Sequence, residues 1–221
     1  MRSKQIEALV MKGTKRLYDN DKFRYQRFYR GIVACGARGC NLRCCVCWNW
    51  DRNECPSAGG QFYSPSEIAA KLEKLAGHKT DTARISGCEP ILGRASSKHL
   101  AEIILNSKLF FILETNAVMI GAEPDLLDLF AEARNFTVRV SLKATNGLMW
   151  ERFTGSDAFG FVYQQRGVRE LRKRHIPHKI AFMPKFVDYK NIDCDNGYNL
   201  EEENLRYYKG TKTRLKERGL A

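Results

Sequence analysis

No stretch of the 221-residue chain approaches the roughly 20 apolar residues a membrane span requires. The opening residues, Met1-Arg2-Ser3-Lys4-Gln5-Ile6-Glu7, lack the apolar segment and small-residue cleavage site of a secretory signal. A cytoplasmic address without a membrane partner is the expectation. Proline is scarce, at six residues, and no Pro/Ser-rich linker marks a boundary. One domain over 1–221 is predicted, with a core over about 30–184 and a basic extension at each end. Histidine is scarcer still: His78, His99, His175 and His178 offer no ligand pair. Acidic residues are outnumbered, 25 against 37 Lys and Arg, for a net charge of +12. The excess gathers in 1–30 and 205–218. It implies a solvated basic surface or an anionic partner, nucleic acid among the options, although no nucleic-acid motif accompanies it.

Cysteine is plentiful. Eight are present, four of them at 40, 44, 45 and 47. Without a signal, such crowding points to metal binding or catalysis rather than a disulfide framework. Cys40, Cys44 and Cys47 are spaced to converge on one compact object, for which a cubane iron–sulfur cluster is the best candidate. Such a cluster has four irons, so one would be free to bind something other than protein. The competing reading is zinc, with Cys45, Cys35 or Cys55 as fourth ligand. Cys35, Cys45, Cys55, Cys88 and Cys194 otherwise read as buried free thiols.

The order of elements supports an α/β fold. A strand over 25–35 enters a long loop over 36–60. Ser64-Pro65-Ser66-Glu67 reads as a capped helix start, with Gly77 as its stop. Strands follow over 82–86, 109–114, 136–142 and from 180, alternating with helices over 98–106, 124–133 and 159–174. Alternation of this kind predicts a parallel sheet curling toward a partial (β/α)6-type TIM barrel, shortened at its C-terminal end because no final strand is evident after Pro184. In such folds chemistry gathers at strand C-termini. The cysteine loop, Ser86-Gly87-Cys88-Glu89-Pro90, Glu114-Thr115-Asn116 and Lys143 all fall there.

Together these segments resemble the radical S-adenosylmethionine (SAM) superfamily over about 30–184. Cys40-x3-Cys44-x2-Cys47 is similar to its cluster motif, and Ser86-Gly87-Cys88-Glu89-Pro90 to its Gly-Gly-Glu-Pro motif with Cys88 at the second Gly. Cys47-Trp48-Asn49, Glu114-Thr115-Asn116, Leu142-Lys143 and Phe153-Thr154-Gly155 resemble most closely the pyruvate formate-lyase activating enzymes. The chain departs from that pattern at Val46, where an aromatic residue is usual, and at Ser141, where Asp is usual.

The resemblance implies a [4Fe–4S] cluster on Cys40, Cys44 and Cys47 and SAM on its fourth iron. It implies an oxidoreductase that cleaves SAM reductively and abstracts a hydrogen atom, fed by an external one-electron donor. The implied SAM contacts are Val46, Trp48 and Asn49, the last two near the adenine, Ser86, Gly87 and Glu89 at the ammonium with Glu114 beside them, Asn116 in its turn, and Lys143 at the carboxylate. Met183-Pro184 is a further lining candidate. Arg38 and Arg43 are candidates to tune the cluster, or are simply solvated. The substrate, protein or small molecule, is unidentified. A glycyl radical enzyme partner, a carboxydeazaguanine synthase-like or RNA-linked modification, and a non-enzymatic zinc protein binding nucleic acid are the readings to separate.

Overall fold

A computed structural model describes residues 2–188 and 199–221. Cys194 lies outside the described residues. The chain opens with helix α1 (Arg2–Val10) and strands β1 (Met11–Lys12) and β2 (Lys15–Tyr18). Strand β3 (Arg24–Gln26) then turns back into β4 (Ile32–Gly36), which enters the cysteine loop. After α2 (Trp50–Glu54) and β5 (Gln61–Tyr63) come α3 (Pro65–Ala76), β6 (Thr82–Ser86), α4 (Arg94–Leu105), β7 (Phe110–Thr115) and α5 (Val118–Ala122). A 3-10 turn over Pro124–Phe130 leads to β8 (Phe136–Ser141), α6 (Gly147–Thr154), α7 (Phe159–Lys173), β9 (His178–Phe182), β10 (Leu200–Glu202) and α8 (Thr211–Glu217).

The main sheet runs β10-β9-β8-β7-β6-β4-β3. Six strands are parallel, registered through pairs such as Val33 with Ala83 and Val138 with His178; β3 alone is antiparallel. This is the α/β sheet of a partial TIM barrel. Its interior strands are buried on both faces, as the adjacent Ile32 and Val33 of β4 illustrate, because helices cover the outside. Gly121 of α5 and Gly167 of α7 let those helices touch: a Cβ at either would collide with the other segment's backbone. Ser64 and Glu67 close the expected capping box on α3, and Gly77 ends that helix.

Four expectations need correction. The strand over 25–35 is two strands, because Tyr29, Arg30 and Gly31 all adopt positive φ and reverse the chain. The loop over 36–60 carries a short helix, α2. The helix over 124–133 is a 3-10 turn begun by Pro124. The barrel is not shortened: β10 supplies a sixth parallel strand, pairing Leu200, Glu201 and Glu202 with Ile180, Ala181 and Phe182. Side chains hold this three-residue strand. Arg139 donates to Glu201 at 2.6 Å and to Glu203 at 2.7 Å, and Lys179 reaches Glu201 at 2.5 Å. Arg84 and Glu114, 2.7 Å apart, continue this belt of alternating charge across β6 and β7.

The N-terminal segment forms a second sheet, β1-β2-β5, outside the main one. Arg16 of β2 is fully buried and donates to the carbonyls of Pro90 at 2.6 Å and Glu89 at 2.8 Å. Glu7 of α1 accepts from the Ser96 amide at 2.8 Å and so caps α4. Of the N-terminal cations Arg16 is thus built into the domain, whereas Lys4, Lys12, Lys15, Arg27 and Arg30 are exposed.

Candidate functional site

A cavity of about 620 Å³ opens at the C-terminal ends of the parallel strands. Cys40, Cys44 and Cys47 line it together with Val46, Trp48, Asn49, Ser86, Gly87, Glu89, Glu114, Asn116, Lys143 and Met183. The topology thus brings the three candidate cluster ligands and the candidate SAM contacts to one place, but not Arg38, Arg43 or Pro184. Cys35, Cys45 and Cys55 are not among the lining residues. Cys35 and Cys45 lie in the hydrophobic core, whereas Cys55 is exposed, against the expectation of a buried thiol.

The cysteine loop is held by its neighbours. Its Arg43 and Cys45 amides donate to Thr154 and Phe153 carbonyls at 2.8 and 2.9 Å. Asn49 donates to the Gly87 carbonyl at 2.6 Å, tying the loop to the turn after β6. Gly87 sits at φ +81°, and a Cβ there would press within 2.9 Å of the Asn49 amide nitrogen, so both conformation and space require glycine. From the far end of the chain, Arg214 donates to the Cys45 carbonyl at 2.9 Å and the Cys47 carbonyl at 3.3 Å. Its guanidinium lies 4.4 Å from the Trp50 ring centre. No motif flagged Arg214; only its place in a cationic C-terminus hinted at it.

The sulfurs have donors of their own. The Leu42 amide approaches Cys40 Sγ at 3.4 Å, and Asn53 Nδ2 approaches Cys47 Sγ at 3.7 Å. Burial pushes the Cys40 thiol well above its usual range, with the Glu89 charge adding to it, and burial pushes Cys44 up to about 12 against the pull of Lys143. Burial thus opposes the charged form at both sulfurs, and a metal ion binding there would displace the proton.

Glu89 is fully buried. Burial pushes its carboxyl up to about 7, against hydrogen bonds from Thr115 Oγ1 at 2.6 Å, the Asn116 amide at 2.8 Å and the Ile91 amide at 3.1 Å. It therefore staples the turn after β6 to the turn after β7. Asn116 donates onward to Asn41 at 2.7 Å, inside the cysteine loop. Glu114 is engaged by Arg84, and Lys143 rests 2.5 Å from Ser141 Oγ. Trp48 is exposed beneath Arg24, not packed as core. Arg38 is neither solvated nor at the cavity: it is buried against Asp19 at 2.6 Å. Arg43 pairs with Glu54 on the outside of the loop.

The radical SAM superfamily profile matches residues 36–188 of this chain. The chain belongs to the radical SAM superfamily. Members of that superfamily use a [4Fe–4S] cluster and SAM. No curated protein matches the sequence. Among solved structures, SuiB of Streptococcus suis bound to S-adenosylmethionine is similar at 16% identity, over 78% of this chain and 40% of that one, with a TM-score of 0.61. A second SuiB structure matches at 14% identity, over 81% of this chain and 50% of that one, with a TM-score of 0.56. TYW1 with a lysine–pyruvate adduct matches at 12%, over 80% and 65%, with a TM-score of 0.50. These likenesses show the radical SAM fold. The chain spans 40% to 65% of the length of those three neighbours.

Proposed function

We propose that this chain is a radical SAM enzyme whose Cys40, Cys44 and Cys47 hold a [4Fe–4S] cluster, with SAM on the remaining iron. The observation that carries this reading is the gathering of those three thiols, with donors aimed at two of them, on one cavity at the strand C-termini. The donor chemistry fits the cluster, since thiolates ligate its irons and N–H groups near the sulfurs tune its potential. It fits zinc less well. A closed zinc site takes four protein ligands, and none of the candidate fourth ligands Cys35, Cys45 and Cys55 lines the cavity with the three thiols.

When bound, the cluster and SAM supply a one-electron cleavage of the sulfonium and a radical that takes a hydrogen atom from substrate. The protein's part is orientation. Glu89 and Gly87 fix the turn that would hold the methionine ammonium, with Glu114 beside them. Lys143 would meet the carboxylate, Val46, Trp48 and Asn49 would line the remainder of the SAM site with Trp48 and Asn49 toward the adenine, and Asn116 ties the turn after β7 to the cysteine loop. The belt of ion pairs under the cavity closes it from below. An external one-electron donor is required.

Anaerobic reconstitution with iron and sulfide tests the reading. The expected result is about four irons per chain, brown colour, and release of 5′-deoxyadenosine from SAM with a strong reductant. Cys40→Ala, Cys44→Ala and Cys47→Ala should each abolish that release. One tightly bound zinc per chain, with no iron uptake, would sink the proposal.

A further inference from the structure

The two basic ends of the sequence meet. Arg24 and Trp48 line the cavity, and Arg206 and Tyr208 line it from the other end of the chain. Phe28 and Tyr29 lie deeper, at the N-terminal end of β4, against Arg84 and Lys179. The rings of Tyr208 and Trp48 are 43% and 42% exposed. Just beyond Tyr208, Lys209 and Lys212 are exposed, and Lys212 sits 5.6 Å from the ring of Tyr207, itself exposed. Among the described residues the acids lining the cavity are held by cations or hydrogen bonds, except the exposed Glu202. Glu114 faces Arg84, and Glu201 and Glu203 face Arg139. Among the described residues no acidic partner holds Arg24, which lies over the Trp48 ring at 5.8 Å.

Exposed rings alternating with unneutralised cations form the surface that takes a flexible polyanion carrying flat bases. Cations meet phosphates, and every base offers a face to stack. An acidic peptide would satisfy the cations but leave the rings without a partner. A duplex is too wide for the cavity, whereas a single nucleotide turned out of a strand is of the size such a pocket admits. Unpaired strands with splayed bases are the usual state of RNA loops. We infer that the mouth of this cavity binds single-stranded RNA, with phosphates on Arg24, Arg206, Lys209 and Lys212 and bases stacked on Trp48 and Tyr208, so that one nucleotide is presented to the reaction site. This names the substrate class and rests on the cavity being that site.

Fluorescence anisotropy with a labelled single-stranded RNA of about 12 nucleotides tests it, on protein with and without cluster, since binding by the rims requires none. Four phosphate contacts to a single strand predict about a fiftyfold loss of affinity between about 50 and 200 mM salt. The double variant Arg206→Glu, Lys212→Glu should weaken binding at least tenfold. Arg166→Glu, Arg169→Glu, the same charge change on exposed positions of α7, should leave it within about twofold. Tyr208→Ala should cost about tenfold with the salt slope unchanged. Thermal melts of each variant establish that it folds. Equal loss from both charge variants would make the binding non-specific and overturn the inference. Preference for a poly-glutamate peptide, tenfold preference for DNA of the same sequence, or no RNA binding at low salt would also overturn it. SAM cleavage is assayed separately without RNA, so its failure would strike the proposed function and leave the binding result standing.

Discussion

Single residues decide how far the cysteine loop depends on the rest of the chain. Arg214 holds two of its carbonyls and stacks on Trp50, so Arg214→Ala should cost about 1–2 kcal/mol in urea unfolding. It should also make the reconstituted cluster lose iron faster in air. Arg214→Lys keeps the charge but not the fork, and should fall between. Wild-type stability and iron retention in Arg214→Ala would refute the clasp. His99 offers a second test. Its Nδ1 donates to the Thr14 carbonyl at 2.8 Å, so Nε2 accepts from Tyr18, whose hydroxyl oxygen lies 2.9 Å away. Burial lowers its pKa to about 4, against the raising effect of Thr14. A base depressed on folding contributes stability that is present above its unfolded value of about 6.5 and lost as pH falls through about 4. From this group alone the protein should be about 2 kcal/mol less stable at about pH 5 than at neutrality. Urea unfolding at the two pH values measures it, and His99→Gln should remove that part of the slope.

At the scale of elements, what could be read in the sequence depended on where each element's stabilisation comes from. Helix α3 was legible because Ser64, Pro65, Glu67 and Gly77 are local signals. Strands β6, β7 and β8 were legible because a strand buried on both faces needs an unbroken apolar or alternating run. Strand β10 was not: Leu200-Glu201-Glu202 has no β signature, and its place is set by Arg139 and Lys179 on other strands. The same holds for α1, β1 and β2, whose anchors Glu7 and Arg16 act across 89 and 73 or more positions of sequence. Burial works against the Glu201 charge, but hydrogen bonds from Arg139 and Lys179 prevail and hold its pKa at about 2. Its contribution is present above the ordinary carboxylate range and is lost as pH falls through about 2. Glu201→Ala should therefore loosen β10 specifically. A local loss of about 1–2 kcal/mol would raise amide exchange at Leu200–Glu202 roughly tenfold while β7 and β8 stay protected. Uniform exchange across the sheet would show instead that β10 is integral to global stability.

For the whole molecule, the candidate site was more legible than the fold around it, because spacing motifs are local and their convergence follows from any parallel α/β sheet. What could not be read was how the sheet's two edges meet. Tyr29, beyond β3, donates to Glu201 at 3.1 Å and lies 4.5 Å under Lys179, so side chains bridge the strands that main-chain bonds do not. The consequence is a scaffold that does not need its metal to fold. The cysteine loop is fixed by the carbonyls of Phe153 and Thr154, by Asn49 on Gly87, by the Glu89 amide on Gly39 at 2.9 Å, and by Arg214. Small metal-dependent domains behave otherwise, unfolding when the ion is removed. Here the cluster should stabilise only by mass action, as a ligand that binds the native state alone. Anaerobic treatment with a chelator should thus leave the far-ultraviolet circular dichroism intact and a single cooperative transition, with a lower midpoint than the reconstituted protein. Re-addition of iron and sulfide should restore the midpoint. Collapse of the dichroism on chelation would mean that the loop's protein contacts are too weak to hold it, and that the thiol trio organises the barrel mouth rather than being presented by it.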